Sequence, residues 1–76
     1  MAKEVLYVVV MEDEYTQFYS GDTTSMGMTI PTFTTDSSGM VAYSDIDECY
    51  SQINRLETIY PEAEFSIARF VRDSNS

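Results

Sequence analysis

The chain of 76 residues has no histidine and no tryptophan, one cysteine and only four basic residues, Lys3, Arg55, Arg69 and Arg72. Each shortage excludes something. Histidine is the side chain that titrates near neutrality without help, and a single lysine near the start does not replace it. General acid–base and nucleophilic catalysis therefore lack their usual groups, and a non-enzyme with no catalytic residues is expected. Lone Cys49 cannot form an intramolecular disulfide, and without histidine or a second cysteine it cannot build a zinc site. Its spacing predicts a small buried hydrophobe on a helix. The carboxylate runs Glu12-Asp13-Glu14 and Asp45, Asp47, Glu48 have neither the spacing nor the glycine of a calcium loop. Gly21, Gly27 and Gly39 make no phosphate-binding pattern, so no metal and no cofactor are expected.

Four scattered cations supply no footprint for nucleic acid or anionic lipid, so neither is expected as a direct partner. The longest apolar run, Val5 to Met11, is far short of the ~20 residues that span a bilayer. It also lacks the flanks of a signal peptide. Together with the cysteine usage this predicts a soluble protein of a reducing cytoplasm.

What is abundant is acid. Thirteen Asp and Glu give a net charge of −9 and a pI near 4.1. Apolar residues at 43% and aromatics at 13% suffice for a core, which separates the chain from disordered acidic sequences. A chain this short makes one small domain, expected over residues 1–73 with 74–76 as a frayed tail.

Lys3 to Met11, rich in β-branched residues and apolar on both faces, predicts a central strand. Glu12-Asp13-Glu14 predicts an exposed turn, and Tyr15 to Ser20 a second strand paired to the first. Gly21 to Ser25 reads as a loop. Met26 to Thr35 is an edge strand or an ordered loop, because Gly27 and Pro31 weaken a ladder. Asp36 to Gly39 is a turn and Met40 to Tyr43 a short extended piece. Ser44 predicts a helix N-cap, followed by an apolar stripe of Ile46, Cys49, Ile53, Leu56 and Tyr60 that Pro61 ends. Glu64 to Arg72 is the last strand. The order β-β-(β)-α-β predicts a small two-layer α+β sandwich, an antiparallel sheet of three to four strands with one helix on it. One sheet face is expected to be partly bare, with Tyr7, Tyr15, Phe18, Tyr19 and Phe33 as candidates for it.

A net −9 on so small a surface steers a molecule toward basic partners, and the most positive protein surfaces are those that bind nucleic acid. The candidate partner-binding residues are the carboxylates Glu12, Asp13, Glu14, Asp22 and Asp36, with Tyr15 and Tyr19 as aromatic anchors. Two other readings stand beside this one. Acidity can serve solubility alone, and a bare aromatic sheet face can serve self-association as a small assembly module.

The stretch Phe33-Thr34-Thr35-Asp36, then Ala42-Tyr43-Ser44-Asp45-Ile46-Asp47-Glu48-Cys49, Ile53-Asn54-Arg55-Leu56 and Tyr60-Pro61-Glu62-Ala63-Glu64-Phe65-Ser66-Ile67, resembles small acidic phage-encoded proteins. In these a hairpin leads through a threonine-aspartate turn to a single helix and a closing strand. The resemblance covers about half the chain and brings no site residues with it. It implies a host-takeover or anti-defence factor, such as an anti-CRISPR protein or a DNA-mimic inhibitor, acting on a basic host protein in the host cytoplasm.

Overall fold

Val5 to Met11 is apolar at every position because the strand it forms is covered on both faces. The computed structural model describes residues 2–74, in the order β1 (Ala2–Glu12), β2 (Thr16–Ser25), β3 (Met28–Thr34), a 3-10 turn over Ser37–Gly39, α1 (Ile46–Ile59) and β4 (Glu64–Ser74). The strands form one antiparallel sheet in the order β3-β2-β1-β4, with the helix packed on it. This is the α+β architecture expected. β4 runs to Ser74, beyond the predicted Arg72, so residue 74, expected in the frayed tail, is strand; the rest of that expectation falls on residues 75 and 76, which lie outside the described residues.

β1 and β4 pair along their whole length, from Ala2↔Ser74 to Glu12↔Glu64. Val9 and Ile67 therefore share the helix face, while Leu6, Val8, Val10, Ala68 and Phe70 share the other. Val9 is 0% exposed beneath the helix and Val8 is 1% exposed on the opposite face. That second face is not the bare aromatic surface expected. Leu6 and Val10 are buried there, flanked by half-buried Phe70 and Phe18 on the neighbouring strands. Tyr7, Tyr19 and Phe33 belong instead to the helix-side core.

β1 and β2 pair only at Val10↔Phe18, Met11↔Gln17 and Glu12↔Thr16. Beyond these the strands part, and residues 41–43 enter the fork. Tyr7 and Tyr43 exchange two backbone hydrogen bonds of 2.8 Å, and the Val41 N–H donates to the Tyr19 carbonyl at 2.9 Å. The short extended piece predicted around Met40–Tyr43 thus satisfies backbone groups that β2 abandons.

Residues 21–25 are strand, not loop. β2 continues past a bulge between Tyr19 and Gly21, where Gly21 takes φ +105, and pairs with β3 out to Ser25↔Met28. Met26 and Gly27 both have positive φ, 52 and 78, the pattern of a type I′ hairpin turn. The polar composition of 21–25 reflects exposure, since this ribbon extends beyond the core and leaves Met26 99% exposed.

Asp45, one residue after the predicted Ser44, caps the helix by accepting from the Asp47 N–H at 2.9 Å. Cys49 and Leu56 are fully buried, as the stripe requires, and Ile53 packs against them. Tyr60 closes the helix by donating its N–H to the Leu56 carbonyl at 2.7 Å, and Pro61 has no N–H with which to continue. No helix among the described residues is long and apolar enough to cross a membrane.

Leu56→Ala empties the centre of the helix–sheet contact. The expected loss is ~2–5 kcal/mol, against a total near ~5 kcal/mol for so small a domain. A urea or thermal midpoint should fall until the native state is barely populated; a midpoint within a few degrees of wild type refutes the packing described here.

Candidate acidic docking site

Two connections meet at one end of the sheet. The β1–β2 turn, Asp13-Glu14-Tyr15, is closed by the Asp13 N–H donating to the Tyr15 carbonyl at 3.2 Å. The helix–β4 turn, Pro61-Glu62-Ala63, is closed by the Ala63 N–H donating to the Tyr60 carbonyl at 3.2 Å. Because β1 and β4 end together, Glu12 and Glu64 stand directly opposite each other in the ladder. Like charges so placed destabilise a sheet. Asp13 and Glu62 share the wall of one cavity of about 400 Å3. Five carboxylates, Glu12, Asp13, Glu14, Glu62 and Glu64, therefore occupy one end of the molecule, all exposed, with Tyr15 among them at 70% exposure.

None of the four basic residues belongs to this end. Arg72 pairs with Glu4, about 26 Å from Glu12 at ~3.3 Å per strand residue, and Lys3 lies one residue further away. Arg69 pairs across from Tyr7, and Arg55 is engaged elsewhere. The helix adds to the polarity. Its C-terminus abuts the acidic end and carries no basic residue in its last turn, so the negative pole of its dipole is uncompensated. No described residue donates to the carbonyls of Glu57, Thr58 or Ile59.

Two residues expected at the docking surface are not on it. Tyr19 is 3% exposed, because it alternates with Phe18 and so faces the helix, where it packs edge-to-face on Phe33 at 6.0 Å. Its hydroxyl donates to Asp22 Oδ1 at 2.5 Å. Asp22 also accepts from Arg55 Nη2 at 2.7 Å, and Arg55 Nη1 donates to Gln52 Oε1 at 2.7 Å. The Arg55 guanidinium, helped by the Tyr19 hydroxyl, holds the Asp22 carboxyl below the usual range, and burial pushes the Tyr19 hydroxyl up. Asp22 is thus a tie between the hairpin arm and the helix, not a free charge.

Asp36 keeps its charge outward. It caps the 3-10 turn by accepting from the Ser38 N–H at 3.0 Å, which lowers its pKa. It follows the end of β3, level with Val10 of β1, and so sits at the margin of the acidic end. Glu12, Asp13, Glu14 and Tyr15 stand together as expected. Glu62, Glu64, the helix C-terminus and the cavity complete the site, and the sequence reading did not assign them to it. The Pro61-Glu62-Ala63-Glu64 turn was the available signal, since a closing strand paired to β1 in this register must start beside Glu12.

Elsewhere, burial pushes the Cys49 thiol up and the Tyr43 hydroxyl to about 12, so neither is an activated nucleophile. Among the described residues no three Cys, Asp or Glu side chains are grouped to hold a metal ion.

The Asp22–Arg55 pair has a pH signature. A carboxyl whose pKa is lower folded than the ~3.9 of an unfolded aspartate adds stability above that value and loses it as pH falls through the folded pKa. Arg55→Met should cost about 1 kcal/mol at neutral pH, the scale of a partly exposed pair. The gap between variant and wild type should close below about pH 4, read from urea midpoints across the acid range. A gap constant with pH refutes an electrostatic tie.

The chain matches no protein-family model, no curated protein and no solved structure.

Proposed function

We propose that the chain is a non-enzymatic acidic inhibitor that docks on a basic, nucleic-acid-binding surface of a host protein, in the manner of phage anti-defence or host-takeover factors. The observation that carries this reading is the polarised charge. Five carboxylates and the negative end of a helix gather at one pole, and none of the chain's cations is there to neutralise them. A fold that needed acid only for solubility would gain by spreading it, and would gain again by not placing Glu12 opposite Glu64. Tyr15, exposed amid the charges, is the aromatic anchor. The carboxylates occupy positions that phosphates would take on such a surface and supply fast, oriented association. The host cytoplasm is the compartment where such a partner is met.

Capture of partners from host lysate on the immobilised chain, followed by reconstitution with the purified partner, tests this. The partner should be basic, should be displaced by duplex DNA or RNA, and should bind less tightly as salt rises. A partner indifferent to both salt and nucleic acid overturns the reading.

The triple variant Glu12→Gln, Asp13→Asn, Glu14→Gln takes the net charge from −9 to −6. Its stability should be unchanged or slightly higher, because exposed like charges repel. Affinity for the basic partner should drop by about tenfold or more at low salt, and the deficit should shrink as salt screens the charges. Binding isotherms at two ionic strengths decide it; equal affinity at both clears the turn of any role.

A further inference from the structure

Within the acidic end lies the cavity of about 400 Å3, and its lining has two characters. Its body is apolar: Met11, Phe33, Ile59, Tyr60, Pro61 and Ala63. Phe33 and Tyr60 meet edge-to-face at 5.9 Å and 74°, so two aromatic rings stand in its wall. Its rim is anionic, with Asp13 on one side and Glu62 on the other. Beyond these lie Glu12, Glu14 and Glu64, and the helix terminus, of which Ile59 joins the lining, has carbonyls with no donor among the described residues. An apolar body with acceptors around its mouth suits a ligand with a hydrocarbon stem and a cationic, donor-only head.

We propose that this cavity receives an arginine side chain from the basic partner. This rests on the docking reading above and names what the acidic end holds. The guanidinium fits the acceptor set better than an ammonium does. It is planar, weakly hydrated, stacks on aromatic faces, and has five N–H donors to divide between two carboxylates and the helix carbonyls. The volume lies at the low end of ligand pockets and has room for one or two long side chains, while the anionic rim repels a phosphate. Charge complementarity decides between occupants, since every charged group at this end is an acid.

The test uses the isotopically labelled full chain and three blocked tripeptides, acetyl-Gly-Xaa-Gly-amide, with Xaa arginine, citrulline or lysine. On titration, the arginine peptide should shift the amide resonances of Asp13, Phe33 and the Ile59–Ala63 turn. Citrulline, the same shape without the charge, should bind about tenfold more weakly or not at all, the scale of one lost charge-assisted hydrogen-bond set. A lysine peptide that binds as tightly as arginine overturns the assignment to arginine. Shifts spread evenly over the acidic surface overturn the cavity. Ala63→Leu fills the cavity at constant charge and should abolish the localised shifts. Glu62→Gln, exposed and neutral to the fold, should weaken them several-fold and covers the case that Ala63→Leu does not fold. If Ala63→Leu folds and binds like wild type, the cavity proposal fails while docking through the acidic end stands. If the cavity takes the arginine peptide but the captured partner ignores the Glu12, Asp13 and Glu14 substitutions, the docking reading fails and the cavity stands.

Discussion

The parting of β1 and β2 after three residue pairs is the constraint on which the rest of the structure depends. Had β2 followed β1, it would have taken the Tyr7 backbone groups itself and the backbone of residues 41–43 would have had no partner there. Instead the Tyr7–Tyr43 exchange holds the fork open, and β2 and β3 carry Tyr19 and Phe33 onto the helix side. The same insertion fixes where the helix begins, three residues after Tyr43. A helix of 14 residues rises about 21 Å, so fixing its start also fixes its end beside the β1–β2 turn. The acidic pole is therefore a product of backbone pairing far from it.

Charge in this protein follows position rather than composition. Asp22 and Asp13 are the same residue type, each next to a strand end or bulge, yet they do different things. Asp22 lies where the helix presents Arg55, and becomes part of a hydrogen-bonded tie with Tyr19. Asp13 lies where the helix presents only its carbonyl end. Because three of the four cations sit toward the far end of the β1–β4 ladder, or along it, the molecule is a dipole as well as an anion. A dipole orients an approaching partner as well as attracting it.

Much of the fold was legible because its signals are periodic. The β1 run, the helix stripe ending at Pro61 and the closing strand each bury a face, and burial writes itself into the hydrophobic pattern. The hairpin arm was not legible. Residues 22–30 are exposed on both faces, so no alternation marks them, and the turn at Met26-Gly27 lacks the Asn-Gly or Asp-Gly pair that usually announces a type I′ turn. Tyr19 was misplaced for a related reason. A half-buried strand shows its alternation, but which face meets the helix depends on register, and the Val10↔Phe18 pair turns Phe18 away from the helix and Tyr19 toward it. The carboxylates of the acidic end were visible singly. That Glu64 stands against Glu12 is a matter of register, which composition does not carry.

The ladder between β1 and β4 joins residues separated by 52 positions at Glu12↔Glu64 and by 72 at Ala2↔Ser74. The most hydrophobic segment of the chain therefore pairs along its whole length only with residues at least 52 positions further on. Until β4 emerges, β1 has an open edge and a partly uncovered face, and the nascent chain has no complete core to collapse around. Closing this ladder requires contacts of long sequence separation, the feature that slows folding among domains of similar size. In that interval the same surplus of negative charge that gives the finished molecule its pole keeps the unfinished chains apart.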